Sequence, residues 1–158
     1  MMTRTAAREI AVHYAFALSF SDLTAQELLE RELTQERFAE VAEIEEVEPL
    51  YKEFPDKRQE DYIRRLVLGI GGHEYELDEY IGKYAIGWKF HRIPRIATAI
   101  MRVAMYEVMY MPEIPGAAAI NEAVELAKGY EDEKMVSFIN GILGSFIRKE
   151  LPDGGDAQ

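Results

Sequence analysis

Apolar residues recur at intervals of three and four along most of this 158-residue chain. An α-helix has 3.6 residues per turn, so this spacing gathers the apolar side chains on one helix face. The alternating pattern of half-exposed β-strands is scarce by comparison. The clearest stripe lies near the C-terminus and comprises Met135, Phe138, Ile139, Ile142, Leu143 and Phe146. The pattern predicts an all-α fold of about seven helices.

Capping residues, prolines and glycines predict where several of these helices begin and end. The segment TAQELLE places Glu27 three residues after Thr24, which is the reciprocal cap typical of a helix start. Pro94 and Pro115 suit the first turns of two later helices, because a missing N–H costs nothing there. Gly129 is suited to close the helix that Pro115 opens.

Length and composition predict how the helices are grouped. With 48% hydrophobic residues, the chain can bury a core and is too apolar to be disordered throughout. We expect a single all-helical domain over residues 1–150, with helical subdomains at 3–88 and 89–150. Residues 151–158, LPDGGDAQ, are predicted to form a disordered tail.

The net charge of −11 constrains the partners of this protein. Much of the acid lies between Glu36 and Asp61, where Pro49 and Pro55 predict a loop with one short helical piece. An acidic chain repels nucleic acid on average. Binding to RNA or DNA would therefore require a local basic patch or a basic partner.

Several classes of protein are disfavoured by what the chain lacks. It has no cysteine, which excludes disulfides, thiol nucleophiles and thiolate metal sites within it. No apolar run approaches the roughly 18 residues of a membrane span, and the N-terminal stretch does not resemble a secretory signal. We expect a soluble, cytoplasmic protein with no membrane contact.

The histidines and carboxylates do not match a catalytic or metal-binding pattern. The chain contains only His13, His73 and His91, and none follows a glutamate at the Glu-x-x-His spacing of helical metal sites. The segment HEYEL at His73 begins like a zinc-protease motif, but Leu77 occupies the place of the second histidine. We predict no catalytic residue, no metal site, no cofactor and no enzymatic activity.

The stretch INEAVELAKGY, residues 120–130, is predicted to be a helix with one apolar and one polar face. The apolar face comprises Ile120, Ala123, Val124 and Ala127, which we interpret as core. The opposite face carries Asn121, Glu125 and Lys128, with Glu122 beside it. Glu125 and Lys128 are spaced to form an ion pair across one turn.

Two basic clusters stand out in the acidic chain. One contains Lys89, His91, Arg92 and Arg95, with Arg102 further on, and Trp88 directly before it. The other is thinner and contains Arg4 and Arg8. Basic residues interleaved with aromatics can bind single-stranded RNA. The spacing alone favours a different interpretation, in which the arginines pair with surplus acid and Trp88 anchors the core.

Longer motifs favour one family. INEAVELAKGY followed by SFINGIL, residues 137–143, resembles the C-terminal signature of the NusB family of bacterial transcription antitermination factors. The preceding IMRVAMYEVMYMPEIP is similar to the Leu-Arg-x-Ala-x-Tyr-Glu helix of that family and to the Ile/Val-Pro pair that follows it. YELDEYIGKYAIGW and AAREIAV resemble two further family segments. The resemblance covers residues 4–148 and is least close around 36–56.

The resemblance implies a fold and a function. NusB-like proteins consist of two small helical bundles packed together. They pair with NusE, a small-subunit ribosomal protein, and bind single-stranded boxA-type RNA in ribosomal RNA leader transcripts. They thereby help the RNA polymerase elongation complex read through terminators, and they catalyse nothing.

The resemblance also implies which residues make these contacts. The RNA-binding positions are Arg4, Arg8, Lys134 and Phe138. The positions facing the protein partner are Phe16, Glu122, Glu125 and Lys128.

The chain departs from the family pattern at positions that matter for charge. Thr5 and Ala6 occupy usually basic positions, Ala97 a common aspartate position, and Gly144 replaces the aspartate after NGIL. The lost N-terminal charge predicts weaker RNA binding. Two alternatives therefore stay open: an adaptor that binds only the ribosomal partner, and a detached recognition domain like those fused to ribosomal RNA methyltransferases.

Overall fold

The computed structural model describes residues 1–44 and 48–151, and within these ranges every regular element is a helix. The α-helices are α1 Arg4–Leu18, α2 Ala25–Glu32, α3 Gln35–Ala42, α4 Lys57–Gly72, α5 Glu74–Tyr84, α6 Arg95–Tyr110, α7 Gly116–Ala127 and α8 Glu133–Glu150. Two 3₁₀ turns, Pro49–Tyr51 and Phe90–Arg92, lie between them. The all-α prediction is confirmed, with eight helices in the described residues where about seven were expected.

Local capping explains where several helices start. The predicted reciprocal cap of α2 is present: Glu27 N–H donates to Thr24 Oγ1 at 3.1 Å, and Thr24 N–H donates to Glu27 Oε1 at 2.9 Å. Thr34 caps α3 by accepting from Arg37 N–H at 3.0 Å. This second cap separates α3 from α2, and such a cap is worth about 1 kcal/mol.

The chain divides into two compact units, and the first comprises Met1–Gly71. Its buried apolar side chains come mainly from α1, α2 and α4, and include Ile10, Ala11, Leu28, Leu29, Ile63, Leu66 and Val67. Gly71, near the end of α4, lies against the start of α2. A Cβ at this position would lie 2.8 Å from the Cβ of Ala25. Glycine is therefore required for this close approach of two helices.

The acidic stretch contains more structure than the predicted loop with one short helical piece. It includes most of α3 and a 3₁₀ turn, and aromatic side chains anchor both. Phe38 is 5% exposed, and its ring centroid lies 5.1 Å from that of Phe54 and 5.8 Å from that of Tyr51. Tyr51 Oη in turn lies 2.6 Å from His13 Nδ1 on α1.

The second unit comprises Gly72–Gln158 and contains α5 to α8. α6 is its central helix, because residues 97–107 are buried without interruption and α5, α7 and α8 all pack against it. The compact units divide after Gly71, whereas the sequence placed its subdomain boundary between residues 88 and 89. The physical reason is that α5 packs against α6 and α8. The predicted tail lies outside the described residues except for Leu151.

Candidate RNA and protein interfaces

The two N-terminal arginines lie on α1 and share one aromatic ring of α4. The Arg4 guanidinium carbon lies 3.9 Å from the centroid of Tyr62, and that of Arg8 lies 5.7 Å from it. Arg4 Nε also donates to Gln59 Oε1 at 2.8 Å. Arg4 is half-buried, whereas Arg8 is only 6% exposed. Of the two predicted RNA contacts, Arg4 is therefore the one that presents appreciable surface to solvent.

The other two predicted RNA contacts lie one turn apart on α8. Asp132 caps this helix by accepting from Met135 N–H at 2.9 Å. Lys134 is exposed and Phe138 is half-buried. Residues four apart lie on the same helix face, so the ammonium group and the aromatic ring share one side of α8.

Trp88 packs on Phe138 and was not among the predicted site residues. The two ring centroids lie 5.0 Å apart with an interplanar angle of 42°. Trp88 is 39% exposed, so the interpretation of this residue as a core anchor is wrong. The signal that could have identified it is the adjacent run of basic residues.

The basic stretch divides into buried and exposed parts. Residues 80–106 contain five Lys or Arg residues and no Asp or Glu. Arg102 is 7% exposed and donates from Nε and Nη2 to the two Asp78 carboxylate oxygens, both at 2.8 Å. The interpretation that the arginines of this cluster pair with surplus acid therefore holds for Arg102. Lys89, His91 and Arg92 are exposed on and beside the second 3₁₀ turn.

Lys83, also in the basic stretch, is tied to the end of α8. Its Nζ donates to Glu150 Oε2 at 2.6 Å, and Tyr84 Oη donates to the same oxygen. These hydrogen bonds hold the pKa of Glu150 below its usual value and raise the pKa of Lys83. Lys83 is 58% exposed, but its ammonium group is paired with Glu150. Lys89, Arg92 and Arg95 of the same stretch are also exposed.

The polar face of α7 and its C-cap residue Lys128 carry three of the four predicted partner contacts. The predicted ion pair is confirmed, because Lys128 Nζ donates to Glu125 Oε2 at 2.7 Å. Both side chains are more than half exposed, whereas Glu122 is partly buried. The fourth predicted contact, Phe16, lies on α1 in the first unit. Its ring packs edge-on against Phe20 at 4.9 Å, and Phe20 is 62% exposed.

A cavity of about 730 Å³ opens between α7 and α8. Its lining residues are Ala117, Ile120, Asn121, Val124, Lys128, Glu131, Glu133, Val136, Ser137, Asn140, Gly144, Ile147 and Arg148. Ile120 and Val124 face this cavity and are half-buried, so interpreting them as core was wrong. Ala123 and Ala127, the other two residues interpreted as core, are buried, and together with Ala119 they form the core side of α7. Partial burial raises the pKa of Glu131 at the cavity rim.

His73, which begins the HEYEL segment, packs on two tyrosines. Its ring centroid lies 4.5 Å from that of Tyr110 and 5.7 Å from that of Tyr106. Tyr110 Oη donates to Glu76 Oε1 at 2.7 Å, and this hydrogen bond is the main cause that raises the Tyr110 pKa to about 12. Across residues 1–44 and 48–151, no group of three or more His, Asp or Glu residues is arranged to hold a metal ion.

Among the helices of residues 1–44 and 48–151, none combines the length and the apolar composition that crossing a bilayer requires.

Comparisons with known proteins identify the family. Residues 5–148 match the family model described as NusB family. The chain is 36% identical over 157 residues to the transcription antitermination protein NusB of Thermoanaerobacter sp. (strain X514), covering 99% of each chain. It is 34% identical over 144 residues to the protein of the same name from Bacillus subtilis (strain 168), covering 91% of this chain and 94% of the relative.

A solved structure is similar in fold as well. T. maritima NusB matches with a TM-score of 0.72 over 99% of each chain at 24% identity, which supports the shared helical fold alone. The family model and the sequence relatives go further, because they span nearly the whole chain. The chain belongs to the NusB family of transcription antitermination proteins.

Proposed function

We propose that this protein binds single-stranded boxA-type RNA of ribosomal RNA leader transcripts together with NusE, a small-subunit ribosomal protein. In this role it acts in the cytoplasm on the RNA polymerase elongation complex and catalyses no reaction. The observation that carries the proposal is the family match over residues 5–148, which spans all the proposed contact residues except Arg4. The match crosses both compact units, which supports residues 1–150 acting as one functional domain.

The proposed RNA contacts take different roles. Arg4 and Lys134 each present a positive charge with access to solvent, which suits neutralisation of phosphates. Phe138 supplies an aromatic ring beside Lys134 for contact with a base. Arg8 is 6% exposed, so its proposed contribution is to support Tyr62, the ring on which Arg4 lies.

The proposed protein contacts favour a basic partner. Glu122 and Glu125 lie on α7, and Glu131 and Glu133 line the rim of the adjacent cavity. Opposite charge speeds and orients the encounter of two proteins. Lys128 is held by Glu125, so this part of α7 is arranged in advance of binding. Phe16, with Phe20 beside it, provides an aromatic contact on α1.

The test is a titration of labelled boxA-type RNA, followed by fluorescence anisotropy, with and without purified NusE. We expect binding at low salt that strengthens when the partner is present, and weaker binding to an RNA with a scrambled boxA sequence. Arg4→Ala should weaken RNA binding and leave partner binding unchanged. The matched control is Arg31→Ala, because Arg31 on α2 is 67% exposed and its Nε donates to the adjacent Glu32 at 2.9 Å. Absence of RNA binding under both conditions at low salt would reject the proposal.

A second candidate function is an adaptor that binds the ribosomal partner without contacting RNA itself. The net charge of −11, the burial of Arg8 and the non-basic residues Thr5 and Ala6 favour it. Size-exclusion chromatography separates the two functions. An adaptor forms a complex with NusE that gains no RNA affinity, whereas an RNA-binding protein carries boxA-type RNA into the complex.

A further inference from the structure

We propose that Trp88 is a base-stacking platform for single-stranded RNA and that Lys89 and Arg92 contact the flanking phosphates. This inference rests on the RNA binding proposed above and extends it to a site that the family resemblance did not assign. It concerns only the second unit, where Trp88 and Phe138 lie together.

The first observation is the exposed aromatic pair. Trp88 packs on Phe138 at a centroid distance of 5.0 Å, yet 39% of the tryptophan remains open to solvent. Each nucleobase has an aromatic face that can stack on an exposed indole ring, and such stacking is tolerant of sequence. Phe138 is itself a proposed RNA contact. Trp88 therefore extends an aromatic surface that begins at α8.

The second observation is that the backbone holds Trp88 in place. Its N–H donates to Ala85 O at 3.1 Å, and Gly87 between them has φ 86°, which favours glycine. On the other side, Ile93 N–H donates to Phe90 O at 3.0 Å and closes the 3₁₀ turn. Ala85 and Ile93 are 2% and 3% exposed, so both ends of the segment are anchored in the core. A platform fixed before binding loses little conformational entropy when a base stacks on it.

The third observation is local charge, which favours a polyanion as the ligand. Between Glu79 and Glu107 the chain contains no acidic residue, although the whole protein carries −11. Within this stretch, Lys83 is held by Glu150 and Arg102 by Asp78. Lys89, next to Trp88 in the sequence, and Arg92, four positions after it, are both exposed. A basic protein would be repelled here, whereas RNA offers both bases for the indole and phosphates for the cations.

The chain provides its own reporter, because Trp88 is its single tryptophan. Labelled boxA-type RNA is titrated into the intact protein at low salt, and RNA anisotropy and tryptophan fluorescence are recorded together. We expect quenching of the tryptophan with the same midpoint as the anisotropy change. Trp88→Ala should weaken binding roughly 5- to 150-fold, which corresponds to the loss of one base–aromatic stack.

Two variants separate stacking from folding. Trp88→Phe keeps an aromatic ring against Phe138 and should weaken binding less than Trp88→Ala. Tyr75→Ala is the matched control, because Tyr75 is also aromatic and is 78% exposed in the same unit.

The proposed phosphate contact has its own test. Arg92→Gln should lower the slope of log affinity against log salt by about 1. If measurable affinity requires NusE, the same variants are compared by anisotropy in that complex.

The possible outcomes distinguish this inference from the proposed function. RNA that binds without quenching, with Trp88→Ala and Trp88→Phe equal to the parent, would overturn the stacking role and leave RNA binding intact. A fluorescence change caused by NusE but not by RNA would also overturn it, because Trp88 would then face the protein partner. If the parent protein binds no RNA either alone or in complex with NusE, the proposed function itself is overturned.

Discussion

Two basic regions of this protein differ in what surrounds their cations. In the first unit, Arg4 and Arg8 lie against Tyr62, and Arg8 is almost completely buried. In the second unit, Lys89 and Arg92 are exposed on a short turn within a stretch that lacks acid. The two regions therefore differ in the charge that they can offer a ligand, beyond the difference in their numbers of basic residues.

This difference shows that the tertiary structure decides whether a basic residue places its charge at the protein surface. An arginine that stacks on a buried tyrosine contributes its aliphatic stem and its guanidinium to the fold. A cation on an exposed turn contributes little to stability and remains available to a phosphate. Arg102 extends the contrast within the second unit, because it belongs to the basic stretch and yet forms a nearly buried ion pair with Asp78.

The largest expected effect is on stability, from Arg102→Ala. Removing the guanidinium leaves Asp78 partly buried without its two hydrogen bonds, and breaking a buried pair in this way costs about 3 kcal/mol. Urea denaturation measures the free energy of unfolding. The control is Lys128→Ala, whose exposed pair with Glu125 is worth about 0.5 kcal/mol. Equal losses for the two variants would contradict the assignment of Arg102 to the fold.

The second prediction compares the two basic regions directly. Arg8→Ala should lower the free energy of unfolding by about 2 kcal/mol, because the side chain is buried beside Tyr62. Arg92→Ala should change it by less than about 0.5 kcal/mol, because Arg92 is exposed. Thermal or urea unfolding of both variants provides the measurement. A larger loss of unfolding free energy for Arg92→Ala than for Arg8→Ala would contradict the proposed difference between the two regions.

The third prediction concerns the salt dependence of RNA binding. Arg4→Gln should reduce the slope of log affinity against log salt by about 1, which corresponds to one lost phosphate contact. Arg8→Gln should reduce it less, because Arg8 is only 6% exposed. Anisotropy titrations at several salt concentrations measure the slopes, with Arg31→Gln as the matched surface control. The proposed division of roles fails if Arg8→Gln changes the slope as much as Arg4→Gln.

The smallest expected effect is a pH dependence of the free energy of unfolding. His13 is partly buried whereas His91 is exposed, so the two histidines differ in burial as the two basic regions do. Burial lowers the pKa of His13 below 6.5, although nearby Glu48 and Glu9 act to raise it, and His13 Nδ1 lies 2.6 Å from Tyr51 Oη. The unfolded chain therefore binds the proton more readily, and the free energy of unfolding should fall as the pH drops below 6.5 toward the lowered pKa.

Unfolding measured across this pH range tests that prediction with two variants. His13→Gln should make the decline shallower, because it removes the group whose pKa differs between the folded and unfolded states. His91→Gln is the control, because His91 is exposed on the second 3₁₀ turn. A decline that is unchanged by His13→Gln would show that other groups cause it.

Much of the fold was predictable because helices depend on residues close in the chain. Hydrogen bonds and side-chain pairs within a helix join residues three or four positions apart, so periodicity and capping residues can be recognised directly. The cap at Thr24 and the pair of Glu125 with Lys128 are both confirmed for this reason. The family resemblance, which the comparisons bear out, depends likewise on motifs that are continuous in the sequence.

The candidate sites were less predictable, because the decisive contacts join distant residues. Trp88 packs on Phe138, fifty positions further along the chain, and Tyr62 receives two arginines from α1. Neither spacing nor composition indicates such partners. The sequence by itself determined the helical class, the cap at Thr24 and the family of this protein. Only the tertiary structure decided which cations are buried and which aromatic rings stay exposed, because burial depends on how separate helices pack.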